Sequence, residues 1–206
     1  MEETRSAADF LPSRMTLPAL RDAVHGCRGC PLYKNASQAV FGEGTRSVAV
    51  MLVGEQPGDQ EDRAGRPFVG PAGKLLDRAL EEAGIDRRAT YVTNAVKHFK
   101  WEPRGKRRIH AKPSWSEVAA CRPWLEAELA VVKPTALVLL GAVAAQGLLG
   151  KQFRVTRQRG ELVDSPLAPY VTATIHPSAI LRGEPADRER ELARLVDDLR
   201  RVPALL

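Results

Sequence analysis

Residues 48–53 (VAVMLV) form a continuously apolar, valine-rich run that stops at Gly54 and gives way to a polar stretch, GEQPGDQEDRAGRPFVGPAG, ending at Gly73. An unbroken apolar run of this length is what a strand needs when helices cover both faces of its sheet. Beyond it, Pro57, Gly58, Gly65, Pro67, Gly70 and Pro71 punctuate the chain too densely for a strand or a helix, and the stretch reads as a long loop. From Ala72 onward Leu75, Leu76, Ala79 and Leu80 return at helical spacing, with Gly84 as the stop. Open α/β sheets bind ligands in the crevice beyond the carboxyl ends of their strands. Glu55, Asp59, Glu61, Asp62 and Phe68 therefore fall where a substrate would sit.

Three more apolar runs read as strands, at 90–96, 136–140 and 170–175. Helical patterns cover 17–24, 72–83, 116–132, 142–149 and 185–201, the last with Leu192, Leu195, Val196 and Leu199 on one face. This alternation predicts an α/β fold, a three-layer α/β/α sandwich around a mainly parallel four-stranded central sheet. Residues 1–16 read as a flexible leader and 17–206 as one domain, large enough for a full core at 44% hydrophobic residues. No apolar stretch reaches the roughly 18 residues of a membrane span, and the N-terminus lacks a secretory layout. A cytoplasmic protein with no membrane partner is expected, and nothing demands more than a monomer.

The formal net charge is +6, and its distribution is uneven. Residues 100–112 (KWEPRGKRRIHAK) hold six cations against the single acid Glu102, a net of +5 that leaves only +1 for the rest of the chain. Such a patch fits a phosphate backbone, and a solvated basic loop that raises solubility fits it equally well. Polar residues also follow two other strands: Thr93, Asn94, Lys97 and His98 after the second, and His176, Pro177 and Ser178 after the fourth. Singly, each is an ordinary cap or turn former. Together with the acidic stretch they form one converging rim.

There are three cysteines, Cys27 and Cys30 in CRGC and Cys121 in ACRPW, and an odd count in a chain expected to be cytosolic argues against a disulfide framework. Cys-x-x-Cys sets two thiolates on one ion or cluster, and four ligands are wanted. Among His25, His98, His110 and His176, the fourth is His98, just beyond the second strand. Zinc and iron–sulfur remain open at this point, as does a reduced pair that only packs or does redox work.

CRGC, GEQPGDQED, RPFVGPAG, YVTNAVKH, ACRPWL and HPSAILR resemble the uracil-DNA glycosylase superfamily, specifically its iron–sulfur family 4 branch and the related UdgX group. The resemblance runs from Cys27 to the final helix. Two departures from ordinary family 4 enzymes point toward UdgX: His98 stands where that family has a third cysteine, and Lys106 to His110 (KRRIH) are inserted. In UdgX the histidine of that insertion becomes bonded to the DNA sugar.

The resemblance implies a [4Fe-4S] cluster on Cys27, Cys30, His98 and Cys121, acting structurally, and uracil-containing DNA as partner, single-stranded by preference. It implies that Phe68 stacks on an extruded uracil, Asn94 bonds its polar edge and His176 donates to a carbonyl oxygen. Glu55 would serve the glycosidic bond, while Gln56, Asp59 and Asp62 shape the pocket. Lys97, Lys106, Arg107, Arg108 and Ser178 would hold the DNA, and His110 would capture the sugar. Cytosine offers an amino group and a bare ring nitrogen where uracil has a carbonyl and an N–H. One amide arrangement can therefore match only one base, and each unpaired buried group costs about 1 to 3 kcal/mol.

Overall fold

The computed structural model describes residues 6–206. The first five residues of the expected leader lie outside the described residues, and the rest of it includes one short element. Ala7–Phe10 makes a 3-10 turn in which the Ser6 hydroxyl accepts from Ala8 N and Asp9 accepts from Ser6 N. Ala7 is buried in the core.

In chain order the elements are α1 (Leu17–Val24), β1 (Val50–Gly54), α2 (Asp59–Ala64), α3 (Pro71–Glu82), β2 (Thr90–Asn94), β3 (Trp101–Arg104), β4 (Arg107–His110) and α4 (Trp115–Val132). They continue as β5 (Ala136–Leu140), α5 (Ala142–Leu149), α6 (Val155–Gln158), β6 (Leu162–Val163), β7 (Tyr170–Thr174), α7 (Pro177–Arg182) and α8 (Arg188–Arg200). None of the described helices is long and apolar enough to cross a membrane.

The main sheet has five strands, in the order β2-β1-β5-β7-β6. The first four are the expected ones and are parallel; the fifth, β6, pairs antiparallel to β7 through Leu162↔Thr172 and Val163↔Val171. Two residues are too few to carry a periodic signal, which is why β6 escapes a reading of the sequence. Successive residues of β1 serve opposite faces, as the pleat requires. Val50 and Leu52 join an apolar cluster with Leu76 and Leu80 of α3 and Leu195 of α8. Met51 and Val53 join a second, with Leu20 of α1, Trp124 of α4 and Val143 of α5.

Two further corrections lie beyond the strand ends. The stretch after β1 is not all loop, because α2 occupies its middle. Glu61 closes it, accepting from Gly58 N at 3.1 Å and from Gly70 N at 2.8 Å. The basic segment is also not a loop but the hairpin β3–β4, registered Trp101↔His110 to Arg104↔Arg107. Its tight turn uses Gly105 at φ +59°, a conformation that costs glycine little. Register Gly54↔Asn94 and Leu140↔Thr174 brings the carboxyl ends of β1, β2, β5 and β7 to one edge of the sheet.

Candidate active site

A cleft of about 650 Å³ opens at that edge, lined by Glu55, Phe68, Asn94 and His176 among others, with Gly54 packed behind the last three. A Cβ built on Gly54 would fall against Asn94 Oδ1, 2.7 Å from Phe68 Cζ and 3.3 Å from His176 Nε2. Three side chains from three separate segments thus converge over the one residue without a side chain. Phe68 and His176 stack, ring centroids 5.9 Å apart at 24°. Phe68 holds a left-handed backbone, φ +56°, which a bulky residue adopts only when its surroundings over-determine it. Gly73 supplies part of that constraint, since a Cβ there would collide with the Phe68 carbonyl.

His176 caps the N-terminus of α7: its Nδ1 accepts from Ser178 N at 3.1 Å and lies 2.8 Å from Ser178 Oγ. A ring nitrogen accepting a backbone N–H carries no proton, so the imidazole proton sits on Nε2, the nitrogen facing the cleft. Burial pushes the His176 pKa down to about 4, keeping the ring neutral near pH 7. The site therefore offers a neutral N–H donor, a side-chain amide and an aromatic face at one end of the cleft.

The hairpin forms the opposite wall. Gln56, almost fully buried, donates from Nε2 to Lys100 O (3.1 Å) and Ala111 O (3.0 Å) and accepts Lys100 N at 3.0 Å, clamping both chains at the hairpin's base. Arg108 reaches across to α2, with Nε 2.5 Å from Asp59 Oδ1 and Nη1 2.6 Å from Asp62 Oδ2. Partial burial works to raise the Asp59 pKa, but hydrogen bonds from Arg63 and Arg108 outweigh it and hold that carboxyl below its usual range. Strand alternation sends His110 to the same side as Arg108. Its Nε2 lies 3.3 Å from Glu55 Oε1 without the alignment of a hydrogen bond, leaving that buried oxygen with no donor. An orphaned buried carboxylate oxygen calls for an explanation. Here it faces an imidazole at the mouth of a cleft.

Comparison with known proteins decides the family. Residues 41–200 match the Uracil DNA glycosylase superfamily. The chain is 37% identical over 187 residues to a type-4 uracil-DNA glycosylase of Thermotoga maritima, covering 90% of this chain and 92% of that one.

The chain belongs to the uracil-DNA glycosylase superfamily.

A type-4 uracil-DNA glycosylase of Pyrobaculum aerophilum is likewise 37% identical over 175 residues, 82% of this chain and 86% of that one. Among solved structures, the wild-type SMUG2 of Pedobacter heparinus superposes with a TM-score of 0.52 over 77% of each chain at 11% identity, a likeness of fold.

Within this superfamily member, several expected roles need correcting. Lys97 cannot grip DNA: its side chain is fully buried, paired with the equally buried Glu128, and its Nζ donates to Thr93 Oγ1 and Asn94 O. Glu128 also accepts from Tyr91 OH at 2.8 Å, Thr93 Oγ1 at 2.9 Å and Gly42 N at 3.1 Å, so the pair braces β2 from below. Arg108 is committed to Asp59 and Asp62 rather than to phosphates, and Lys100 pairs with Glu117 at 2.9 Å. Lys106 and Arg107 remain exposed at the hairpin tip. Asp62 is fully buried, accepting from Ser37 N as well as Arg108, while Gln56 both lines the cleft and holds the hairpin. The Ser178 hydroxyl lies against His176 Nδ1 at 2.8 Å.

The metal set is not closed around one point. Among the described residues no three His, Cys, Asp or Glu side chains form a group that could hold an ion. Cys27 and Cys121 are buried in one cluster with Cys30 at its margin. Cys27 Sγ accepts from Trp124 Nε1 at 3.2 Å, and Cys121 Sγ accepts from Lys97 N at 3.3 Å, next to His98. The sequence alone does not reveal the close approach to Gly54, the clamp of Gln56 or the wall from Val155 and Thr156 of α6. Only the glycine directly after an apolar run hints at the first.

Proposed function

We propose that the chain excises uracil from DNA and is then captured on the vacated deoxyribose through His110. One observation carries the reading: the hairpin, fixed at its base by Gln56 and at its side by Arg108, holds the His110 imidazole against Glu55 in the cleft that Phe68, Asn94 and His176 also line. An enzyme acting on a base must extrude it or take it from a single strand. Phe68 would stack on the extruded uracil, Asn94 would read its edge, and His176 Nε2–H would donate to a carbonyl oxygen.

As the N-glycosidic bond breaks, its electron pair leaves with uracil and positive charge builds on the sugar. His176 stabilises the first and Glu55 the second, by groups already in place. Attack requires the lone pair of an unprotonated His110 Nε2, which bonds the anomeric carbon as the glycosidic electron pair leaves with uracil; the imidazolium so formed gives up its Nδ1 proton and the uracil anion takes one up. A neutral base, a protein–sugar bond and an ionised Glu55 remain. An alkylated imidazole has no easy leaving group, so the protein stays on its substrate. DNA, single-stranded by preference, is the partner, and Lys106, Arg107 and Lys112 would meet its phosphates.

We assign a [4Fe-4S] cluster to Cys27, Cys30, Cys121 and His98. Soft thiolates suit iron–sulfur, and a cubane takes one ligand at each iron, so its ligands need not meet at one point as they do around a single ion. Bound there, it would brace the loop after β2 and the start of the chain. Anaerobically purified protein should contain about four irons per chain; an iron-free protein of unchanged stability would refute the assignment.

The relatives' names suit a conventional, multiple-turnover type-4 glycosylase at least as well. Both readings share the excision pocket and part at His110. A denaturing gel separates them: with uracil-containing single-stranded DNA the wild type should give a heat- and SDS-resistant shifted band that His110→Ala abolishes. Free abasic product from the wild type, without the band, would establish ordinary turnover instead.

A further inference from the structure

Arg182 has no part in the scheme above, although it lines the cleft and ends α7 one turn after Ser178. Its Nη1 donates to Ser178 Oγ at 2.9 Å, and that oxygen lies 2.8 Å from His176 Nδ1. A guanidinium can only donate, so Ser178 Oγ accepts from Arg182 and its own proton is directed at Nδ1. Nδ1 already accepts Ser178 N. We infer that Arg182 is a positioning residue for base release, which through the Ser178 hydroxyl fixes the His176 proton on Nε2, the nitrogen turned into the cleft.

The charges around His176 point the same way. Burial is the largest influence lowering its pKa; Glu55 at the end of β1 opposes it, while Arg182 on α7 and His110 on β4 reinforce it. Protonating the ring would place a hydrogen on Nδ1, against both the Ser178 N–H and a hydroxyl already oriented by Arg182. Removing the guanidinium frees the hydroxyl to rotate and takes away a cation that disfavours imidazolium. Nothing comparable binds the other two groups over Gly54: Asn94 and Phe68 have no such chain behind them. This inference rests on His176 being the donor to the base.

The test is a double-mutant cycle on single-turnover uracil excision, with affinity for a uracil-free oligonucleotide measured in parallel. Arg182→Met should slow excision roughly five- to tenfold at pH 7, about the loss of one hydrogen bond to a neutral group. DNA affinity should hardly change, and the acid limb of the pH–rate profile should move to higher pH because the imidazole protonates more readily. In a His176→Ala background the same substitution should cost nothing more. Arg182→Lys, which keeps a charged donor, should restore most of the rate and guards against a folding artefact. Equal losses in both backgrounds, or a loss confined to DNA affinity, would make Arg182 a phosphate contact and overturn the inference. If His176→Ala alone excised at the wild-type rate, the reading of the pocket on which the inference rests would fall first.

Discussion

Replacing His110 by serine should turn a protein that stops at its first uracil into one that goes on releasing base. The imidazole stands 3.3 Å from Glu55 Oε1, a buried oxygen without a donor. Cutting the side chain back to a hydroxymethyl opens room for a water that donates to that oxygen and faces the sugar on the side the imidazole held. Water then completes the reaction that His110 otherwise ends, with Glu55 as its base. Enzymes commonly turn over at about 1 to 1,000 per second, so even a damaged catalyst should release uracil in roughly tenfold excess over protein within an assay. His110→Gln, similar in bulk to the imidazole, should neither form the adduct nor gain this turnover. A serine variant that released no uracil would mean that excision and capture do not share one pocket.

The second large effect should come from a single methyl group. Gly54→Ala puts a Cβ against Asn94 Oδ1, 2.7 Å from Phe68 Cζ and 3.3 Å from His176 Nε2. All three obstacles are side-chain ends beside the cleft, so the fold should survive while the three proposed base contacts are pushed apart. Displacements of about 1 Å at a reacting centre cost on the order of a hundredfold in rate. Excision should fall by about that factor and adduct formation with it, because capture needs a vacated sugar. The melting temperature should move by only a few degrees, since ~1 kcal/mol corresponds to about 2–4 °C at this size. Wild-type excision by Gly54→Ala would show that the base is not held beside this glycine.

The parallel sheet and the edge that carries the cleft are legible in the sequence, because apolar runs such as residues 48–53 and 136–140 leave few alternatives for a buried strand. What escapes is set by partners distant in the chain. Lys97 reads as a surface cation until Glu128, on a helix that begins beyond the hairpin, claims it. Arg108 reads as a phosphate contact until Asp59 and Asp62 on α2 bind it. Helix α2 is masked by Gly58 and Gly65, which bracket only six residues. The hairpin is masked by a run of charges interrupted by Pro103 and Gly105. No local pattern reveals that a glutamine after β1 will clamp that hairpin; Gln56 lines the cleft, as the sequence suggests, and is a strut as well. His110 stands out by resemblance to a family motif, and its place beside Glu55 is what the proposed capture builds on.

The central claim is a bond between one imidazole and one sugar carbon, and peptide mapping of the gel-resistant species by tandem mass spectrometry tests it most directly. The account predicts a single modified peptide spanning the end of β4, with the sugar-derived mass on His110 and free uracil released in equal amount. A modification on any other side chain, or unmodified protein alongside released uracil, would contradict it.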